Sequence, residues 1–273
     1  MEKASNKSIA ALVKATRKFH RLQQTEFSAI LGVTQGTISK IEAASMGPEL
    51  GLWFKFLRAF NIQDPYCFTY YGLEFDQSSF ANLESDGSAL APNFNFTKDN
   101  IVFTVRTIRP LFDFITKNHS KAFDLFLKEN KISKEFFFIL NHPVTSEIAH
   151  KFFIFLEENK ITAKSVALLD LNFEYALGRH MKDISSSESS DELFTIINNN
   201  TDSGLEYEFS GIKGEYFINL KNHAKSSISH SELIMNYNFL YPYHVMKSLK
   251  SLKAKTPKIQ EVKKDSRWHV TYA

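Results

Sequence analysis

The stretch QTEFSAILGVTQGTISKIE, residues 24–42, decides the fold of the N-terminal part of the chain. Two helices that cross through a short turn need a small residue where they touch and a residue that tolerates positive φ in the turn. Ser28 supplies the first and Gly32 the second. Thr34 stands where the second helix needs an N-cap. The stretch therefore predicts two short helices joined by a tight turn.

Apolar residues must also flank the turn and recur on the second helix, so that both helices share one core. Four residues meet this requirement: Leu31, Val33, Ile38 and Ile41. Because all these linked demands are met together, the helix pair is the strongest local prediction in the sequence.

This segment resembles the Cro and phage-repressor (Xre-like) helix-turn-helix family, which is found in bacteria and phages. The likeness extends over about Ile9 to Phe60, close to a fifth of the chain. The matching positions are the basic pair Arg17 and Lys18, Gln24, the turn at 32–35 and the recognition helix at 37–42. Two positions depart from the family: Ser28 replaces an alanine, and Gly36 replaces a longer side chain, which lowers helix propensity.

The resemblance implies a fourth helix over Glu49 to Phe60. Leu50, Phe54 and Leu57 are expected on its inner face.

The resemblance also implies that the recognition helix enters the major groove with its N-terminus first. Gln35 is then expected to read a base edge, because its amide suits N6 and N7 of adenine. Thr37 is expected on a thymine methyl or a phosphate, and Lys40 on the DNA backbone. Gln24 and Thr25 are placed to bind a phosphate.

Further residues complete the predicted DNA-binding set. Thr34 and Gly36 lie at the start of the recognition helix. Arg17, Lys18 and Arg21 supply nearby positive charge, although they are equally compatible with a solvated helix face.

The sequence predicts a multi-domain chain: an all-α helix-turn-helix domain at 1–75, a linker at 76–100 and a larger α+β domain at 101–273. The linker is inferred from Ser, Asn, Gly and Pro residues without sustained periodicity. We expect residues 1–75 to fold alone and to bind DNA weakly. Three apolar helix faces follow in the sequence: Ile108, Leu111, Phe112 and Ile115; Ile148, Phe152, Phe155 and Leu156; Val166, Leu169, Phe173 and Leu177.

Beyond the serine-rich run at 185–190, the pattern changes from helices to strands. Alternating residues predict strands at 205–209 and 216–220, joined by a turn at Gly211 to Gly214. A long helix is expected from about Ser231 to Lys253. A closing hairpin is expected over 258–263 and 268–272.

One helix-turn-helix covers only half of an operator, and such proteins usually bind pseudo-palindromes as dimers. The C-terminal domain is therefore expected to form a homodimer. Its many rings also suit a pocket for a small apolar ligand, although core packing is the commoner use of each ring. Since three consecutive Phe cannot all face one core, at least one of Phe136, Phe137 and Phe138 should meet a partner, a second subunit or a cavity. The alternative is a protein-interaction adaptor.

The less favoured interpretation is a haem- or metal-binding sensor or a fused enzyme. The histidines show no His-Glu-x-x-His spacing, and His244 is the most suggestive of them because Tyr and Pro residues flank it. Phosphate-binding loops, dinucleotide fingerprints and nucleophile elbows are also missing from the sequence. We therefore expect no cofactor, no metal and no catalytic activity.

Composition points to a soluble, cytoplasmic protein. The net charge is only +3, so DNA contact must come from a local patch. The single Cys67 excludes an intramolecular disulfide framework, which fits a reducing compartment. No signal peptide is visible, and no apolar run approaches the roughly 18 residues needed to span a bilayer.

Overall fold

The computed structural model of the protein describes residues 6–62 and 72–162, the single positions 171 and 195, and four strands between 205 and 271. The chain forms two compact units. The first comprises residues 1–95 and 120–142, and the second comprises residues 96–119 and 143–273.

The first unit begins with four short helices. They are α1 (Asn6–Phe19), α2 (Gln24–Leu31), α3 (Gln35–Glu42) and α4 (Leu50–Ala59). Helix α3 packs against α1 and α2, and α4 packs against α2. Leu31, Ile38 and Ile41 are buried as predicted, and Val33 is half-buried.

The inner face of α4 differs from the prediction. Leu50 and Phe54 are 68% and 54% exposed, whereas Trp53 and Phe56 are buried. The ring centroids of Phe56 and Trp53 lie 5.0 Å apart. The predicted face is offset by one residue from the observed one, which corresponds to about 100° around a helix. Burial of the large indole of Trp53 stabilises the fold more than burial of Leu50 would, because the stabilising free energy increases with the buried apolar area.

The tract expected to be a linker is packed into the structure. It contains a 3₁₀ helix at Gln77–Phe80 and the short helix α5 (Leu83–Asp86). Leu83, Leu90 and Phe94 are buried. These residues follow no helix or strand period, so their burial is not visible as a local pattern.

The first unit also contains residues that lie far along the chain. These are α7 (Ser120–Glu129) and a 3₁₀ helix at Lys134–Phe138 that packs against α1. Phe136 and Phe137 are buried, and Phe138 is half-buried. The predicted boundary at residue 75 therefore cuts through contacts of α1, which argues against independent folding of residues 1–75.

Three charged side chains join α1 to this second 3₁₀ helix. Lys14 Nζ and Lys18 Nζ lie 3.1 and 3.0 Å from the two carboxylate oxygens of Glu135. Ser133 donates a further hydrogen bond to the same carboxylate. Burial alone raises the pKa of Glu135, but the bonds from Ser133 and Lys18 together lower it to about 2.

In the second unit, β1 (Ile101–Thr104) pairs antiparallel with β2 (Pro143–Thr145). Helices α6 (Val105–Asn118) and α8 (Ser146–Glu158) follow these strands directly. The apolar faces predicted for both helices are buried, which confirms them. Across the described part of the chain, every helix is too short or too polar to cross a membrane.

Four further strands form one antiparallel sheet. They are β3 (Leu205–Phe209), β4 (Glu215–Leu220), β5 (Lys258–Val262) and β6 (Arg267–Thr271), in the order β3-β4-β6-β5. Both predicted strand pairs are present. The predicted turn at 211–214, the helix at 231–253, the apolar face at 166–177 and the serine run at 185–190 lie outside the described residues.

We predict that Glu135→Gln destabilises the first unit. The folded pKa of Glu135 lies below its usual value of about 4.5, so the carboxylate contributes stability above pH 4.5 and this contribution is lost as the pH falls toward 2. We expect the variant to lose about 2–3 kcal/mol of the free energy of unfolding at pH 7. Below pH 4.5, its stability should depend less on pH than that of the parent.

Urea unfolding measures both effects. In a Trp268→Phe background, fluorescence reports only on Trp53, which is buried in the first unit. Asp124→Asn is a matched control, because its carboxylate lies 4.0 Å from Lys134 and is exposed. A pH profile that Glu135→Gln leaves unchanged would contradict the assignment.

Candidate DNA-binding surface

The turn between α2 and α3 has the geometry that the sequence predicts. Gly32 adopts the left-handed conformation at φ 64° and ψ 37°. Its N–H donates to the carbonyl of Ala29, and the N–H of Val33 donates to that of Ser28. A Cβ atom at position 32 would also lie 2.6 Å from Lys55 Nζ. Glycine is thus favoured by the backbone conformation, whereas Lys55 is a flexible exposed side chain that can move away.

The N-terminus of α3 is capped by a side chain. The hydroxyl of Thr34 accepts the backbone N–H of Thr37 at 3.1 Å, as expected for an N-cap. The two threonine hydroxyls lie 2.9 Å apart. A Cβ at Gly36 would be 3.7 Å from Thr34 Oγ1, which is ordinary van der Waals contact. Packing therefore does not require glycine at position 36.

Four polar side chains form a hydrogen-bonded chain from the core to the surface. Arg17 donates to both carboxylate oxygens of Glu42, at 2.6 and 2.9 Å. Gln24 Nε2 donates to Glu42 Oε2 at 2.9 Å. Gln35 Nε2 then donates to Gln24 Oε1 at 2.6 Å. The partly buried ion pair thereby orients two glutamines at the N-termini of α2 and α3.

Arg17 has a positioning role in this arrangement. Its side chain is 15% exposed, and its Nη1 also donates to the carbonyl of Leu22. The hydrogen bond with Glu42 raises the pKa of Arg17 above its usual value, against the opposing effect of burial. The guanidinium acts on the surface through Glu42 and Gln24, and a direct contact with DNA stays a prediction.

The other cations predicted near the DNA are engaged within the first unit. Lys18 pairs with Glu135, as described above. Arg21 Nη2 donates to the carbonyls of Asp86 and Gly87 at 2.6 and 2.8 Å. These bonds hold the C-terminal end of α1 against residues that follow much later in the chain.

The remaining predicted residues, except Lys40, lie at the N-termini of α2 and α3. Lys40 is exposed on α3, about one and a half helical turns beyond Gln35. We call this surface the reading face, and it comprises Gln24, Thr25, Thr34, Gln35, Gly36, Thr37 and Lys40, all exposed or half-exposed. The reading face is rich in amides and hydroxyls and poor in charge.

The described residues contain no group of three or more His, Cys, Asp or Glu side chains that could hold a metal ion. His142 is fully buried, and its Nε2 lies 3.0 Å from Ser88 Oγ. Burial lowers the pKa of His20, which is surrounded by phenylalanine rings. The predicted candidates His244 and Cys67 lie outside the described residues.

Sequence reasoning gave no role to Glu42, although this residue links α1, α2 and α3. Its partner Arg17 is 25 residues away, so no local spacing rule connects the two. A second missed feature is the start of α2, where the Glu26 carboxylate accepts the backbone N–H of Gln23 at 2.6 Å. An acid three residues after the cap is the pattern that could have revealed it.

We predict that Glu42→Ala lowers the free energy of unfolding by about 2–3 kcal/mol, because it removes the carboxylate that the partly buried Arg17 binds. The double variant Arg17→Met/Glu42→Met should lose less than the sum of its single variants, since neither charge remains unpaired. Urea unfolding followed by Trp53 fluorescence in the Trp268→Phe background gives the values for Glu42→Ala, for the two single methionine variants and for the double variant. Additive losses would show that the two charges do not interact.

Comparison with known proteins identifies one part of the chain. Residues 13–66 match the family model of the helix-turn-helix, which covers about a fifth of the sequence. No curated protein and no solved structure matches the chain. The match includes α2, the turn at Gly32 and α3, and it supports a DNA-binding transcription regulator. Residues 13–66 are therefore a helix-turn-helix domain of the Cro type.

Proposed function

We propose that this protein is a sequence-specific transcription regulator that reads the major groove with α3. The observation that carries the proposal is the hydrogen bond between Gln35 and Gln24, at the exposed N-termini of the two helices of the motif. This bond supports the proposal because it joins the amide that we expect on a base edge to the amide that we expect near a phosphate.

The amide of Gln35 retains the groups that adenine recognition needs. Its Nε2 uses one hydrogen on Gln24, which leaves one N–H and the Oε1 atom for N7 and N6 of adenine. Glu42 is an acceptor only, so Gln24 turns its nitrogen inward and its oxygen toward Gln35. A side chain held in this way loses less conformational entropy on binding, an effect of about 0.5–1.5 kcal/mol.

The DNA backbone would be held by the start of α2 and by α3. Thr25 is exposed beside Gln24, at a helix end where backbone N–H groups favour a phosphate. Lys40 would supply a charge to the backbone from farther along α3. These contacts set orientation, whereas Gln35 and Thr37 would carry sequence preference.

We also propose that residues 101–273 contribute a homodimer contact and sense a small apolar ligand. The dimer is supported by the half-site coverage of a single helix-turn-helix. The ligand is supported by the aromatic content of residues 101–273, which contain 16 of the 26 Phe of the sequence, although Phe152, Phe153 and Phe155 are buried within the core. A ligand regulates DNA binding only if it has different affinities for the two states of the protein.

We predict that Gln35→Ala weakens binding to the preferred site by about 1–3 kcal/mol and leaves binding to random DNA nearly unchanged. The site is first obtained by selection from random duplexes with the full-length protein. Affinities for selected and random duplexes are then measured at two salt concentrations. Gln77→Ala is the matched control, because it removes an exposed glutamine outside the reading face.

Equal losses on selected and random DNA would contradict base reading by Gln35. Failure to enrich any sequence at either salt concentration would contradict the proposed function and favour the protein-interaction adaptor.

A further inference from the structure

The hydroxyl of Thr37 is bound within the protein. It lies 2.9 Å from the hydroxyl oxygen of Thr34, and the backbone N–H of Thr37 donates to the same oxygen at 3.1 Å. Both contacts lie in the first turn of α3, where Thr34 is the N-cap. A DNA contact through the Thr37 hydroxyl would therefore compete with the cap of the recognition helix.

The hydrogens of this hydroxyl pair favour a methyl contact for Thr37 over a phosphate contact. A hydroxyl has one hydrogen to donate, and phosphate oxygens only accept. One hydrogen of the pair lies between the two oxygens, so a single hydrogen is left to donate outward. Thr34 is exposed whereas Thr37 is half-buried, so Thr34 is better placed to donate that hydrogen. The group that Thr37 has left for DNA is its methyl group.

Gly36 leaves space beside this hydroxyl pair. A Cβ at position 36 would lie 3.7 Å from Thr34 Oγ1, which is ordinary contact, and the φ of Gly36 is not positive. Packing and backbone conformation thus do not require glycine there, although glycine is unfavourable inside a helix. A glycine does allow another molecule to approach the backbone closely. A compact apolar group that reaches Thr37 would meet no side chain from position 36.

We propose that Thr37 is a specificity-determining residue that reads the C5 methyl group of a thymine through its own methyl group. Thymine alone among the four bases carries a methyl group in the major groove, so this apolar contact distinguishes thymine from cytosine. The proposal rests on the proposed function, because Thr37 meets a base only if α3 lies in the major groove. It assigns to Thr37 one of the two roles that the sequence leaves open.

Removal of single methyl groups from the DNA tests this contact. The duplex that the full-length protein selects from random DNA is synthesised with deoxyuridine in place of each thymine in turn, which removes only the C5 methyl group. We expect at least one thymine whose replacement lowers the affinity of the parent protein about fourfold, as for burial of one methyl group. A selected duplex in which every thymine can be replaced without loss would overturn the proposal.

Variants at position 37 identify the side chain that meets this methyl group. Thr37→Ser keeps the hydroxyl and loses the methyl, so it should bind the thymine and deoxyuridine duplexes equally, with about a quarter of the parental affinity for the thymine duplex. Thr37→Val keeps a methyl and loses the hydroxyl, so it should retain the difference of about fourfold.

Thr97→Ser is the matched control for these variants, because it removes the methyl of another half-buried threonine outside the reading face. It should retain the parental difference between the two duplexes. A difference that survives in Thr37→Ser would overturn the proposal. A uniform loss by Thr37→Val on selected and random duplexes would overturn it in favour of a phosphate contact.

Gly36→Gln tests the open space without loss of folding. Its Cβ is accommodated and its helix propensity is higher, so the unfolding midpoint should stay equal or rise. Its longer side chain should reduce the difference between the two duplexes to less than about twofold, because it enters the space beside Thr37. An unchanged difference would contradict the role of Gly36.

The selection step separates this inference from the proposed function. Failure to select any duplex would overturn the proposed function and the role of Thr37 together. A selected duplex whose thymine methyl groups show no dependence on Thr37 would overturn the role of Thr37 alone.

Discussion

The ion pair between Arg17 and Glu42 supports the arrangement of the first three helices. Removing two charges from water is costly, and the cost is offset only where the remaining polar groups are also satisfied. Here the carbonyl of Leu22 and the amide of Gln24 complete the shell around the pair. Because Gln24 in turn holds Gln35, the orientation of an exposed amide depends on a charge in the interior.

The parts of the fold that were predicted from the sequence depend on neighbours in the chain. Ser28, Gly32 and Thr34 lie within seven residues; the structure confirms the left-handed turn at Gly32 and the N-cap at Thr34, and it buries Ser28. The inner face of α4 was wrong by one position because the choice between Trp53 and Phe54 depends on space left by other helices. The packed tract at 76–100 was missed since its partners lie elsewhere in the chain, as in the bond from the N–H of Ser133 to the carbonyl of Leu90.

The same distinction applies to the reading face. Its residues could be chosen from the motif, because helix N-termini and amide side chains are recognisable in one short stretch. The chain of hydrogen bonds that orients these residues could not be predicted, because Arg17 and Glu42 are distant in the sequence and come together only in the folded protein. Lys18 and Glu135 are hydrogen-bonded although they lie 117 residues apart in the sequence, so their pairing could not be predicted either. The residues of the reading face could therefore be predicted from the sequence, whereas the ion-pair partners of the charged side chains could not.

The internal pairing of Lys14, Arg17 and Lys18 of α1 has a consequence for target search. Proteins that release many counterions bind any duplex well and can slide along it. A helix-turn-helix domain that offers amides and hydroxyls, and whose Lys14, Arg17 and Lys18 are already paired within the fold, would gain less from phosphate contacts with non-specific DNA. In the proposed regulator, such a domain would spend more of its time in free solution and less on the wrong sequence. Occupancy of an operator would then depend on the proposed base contacts.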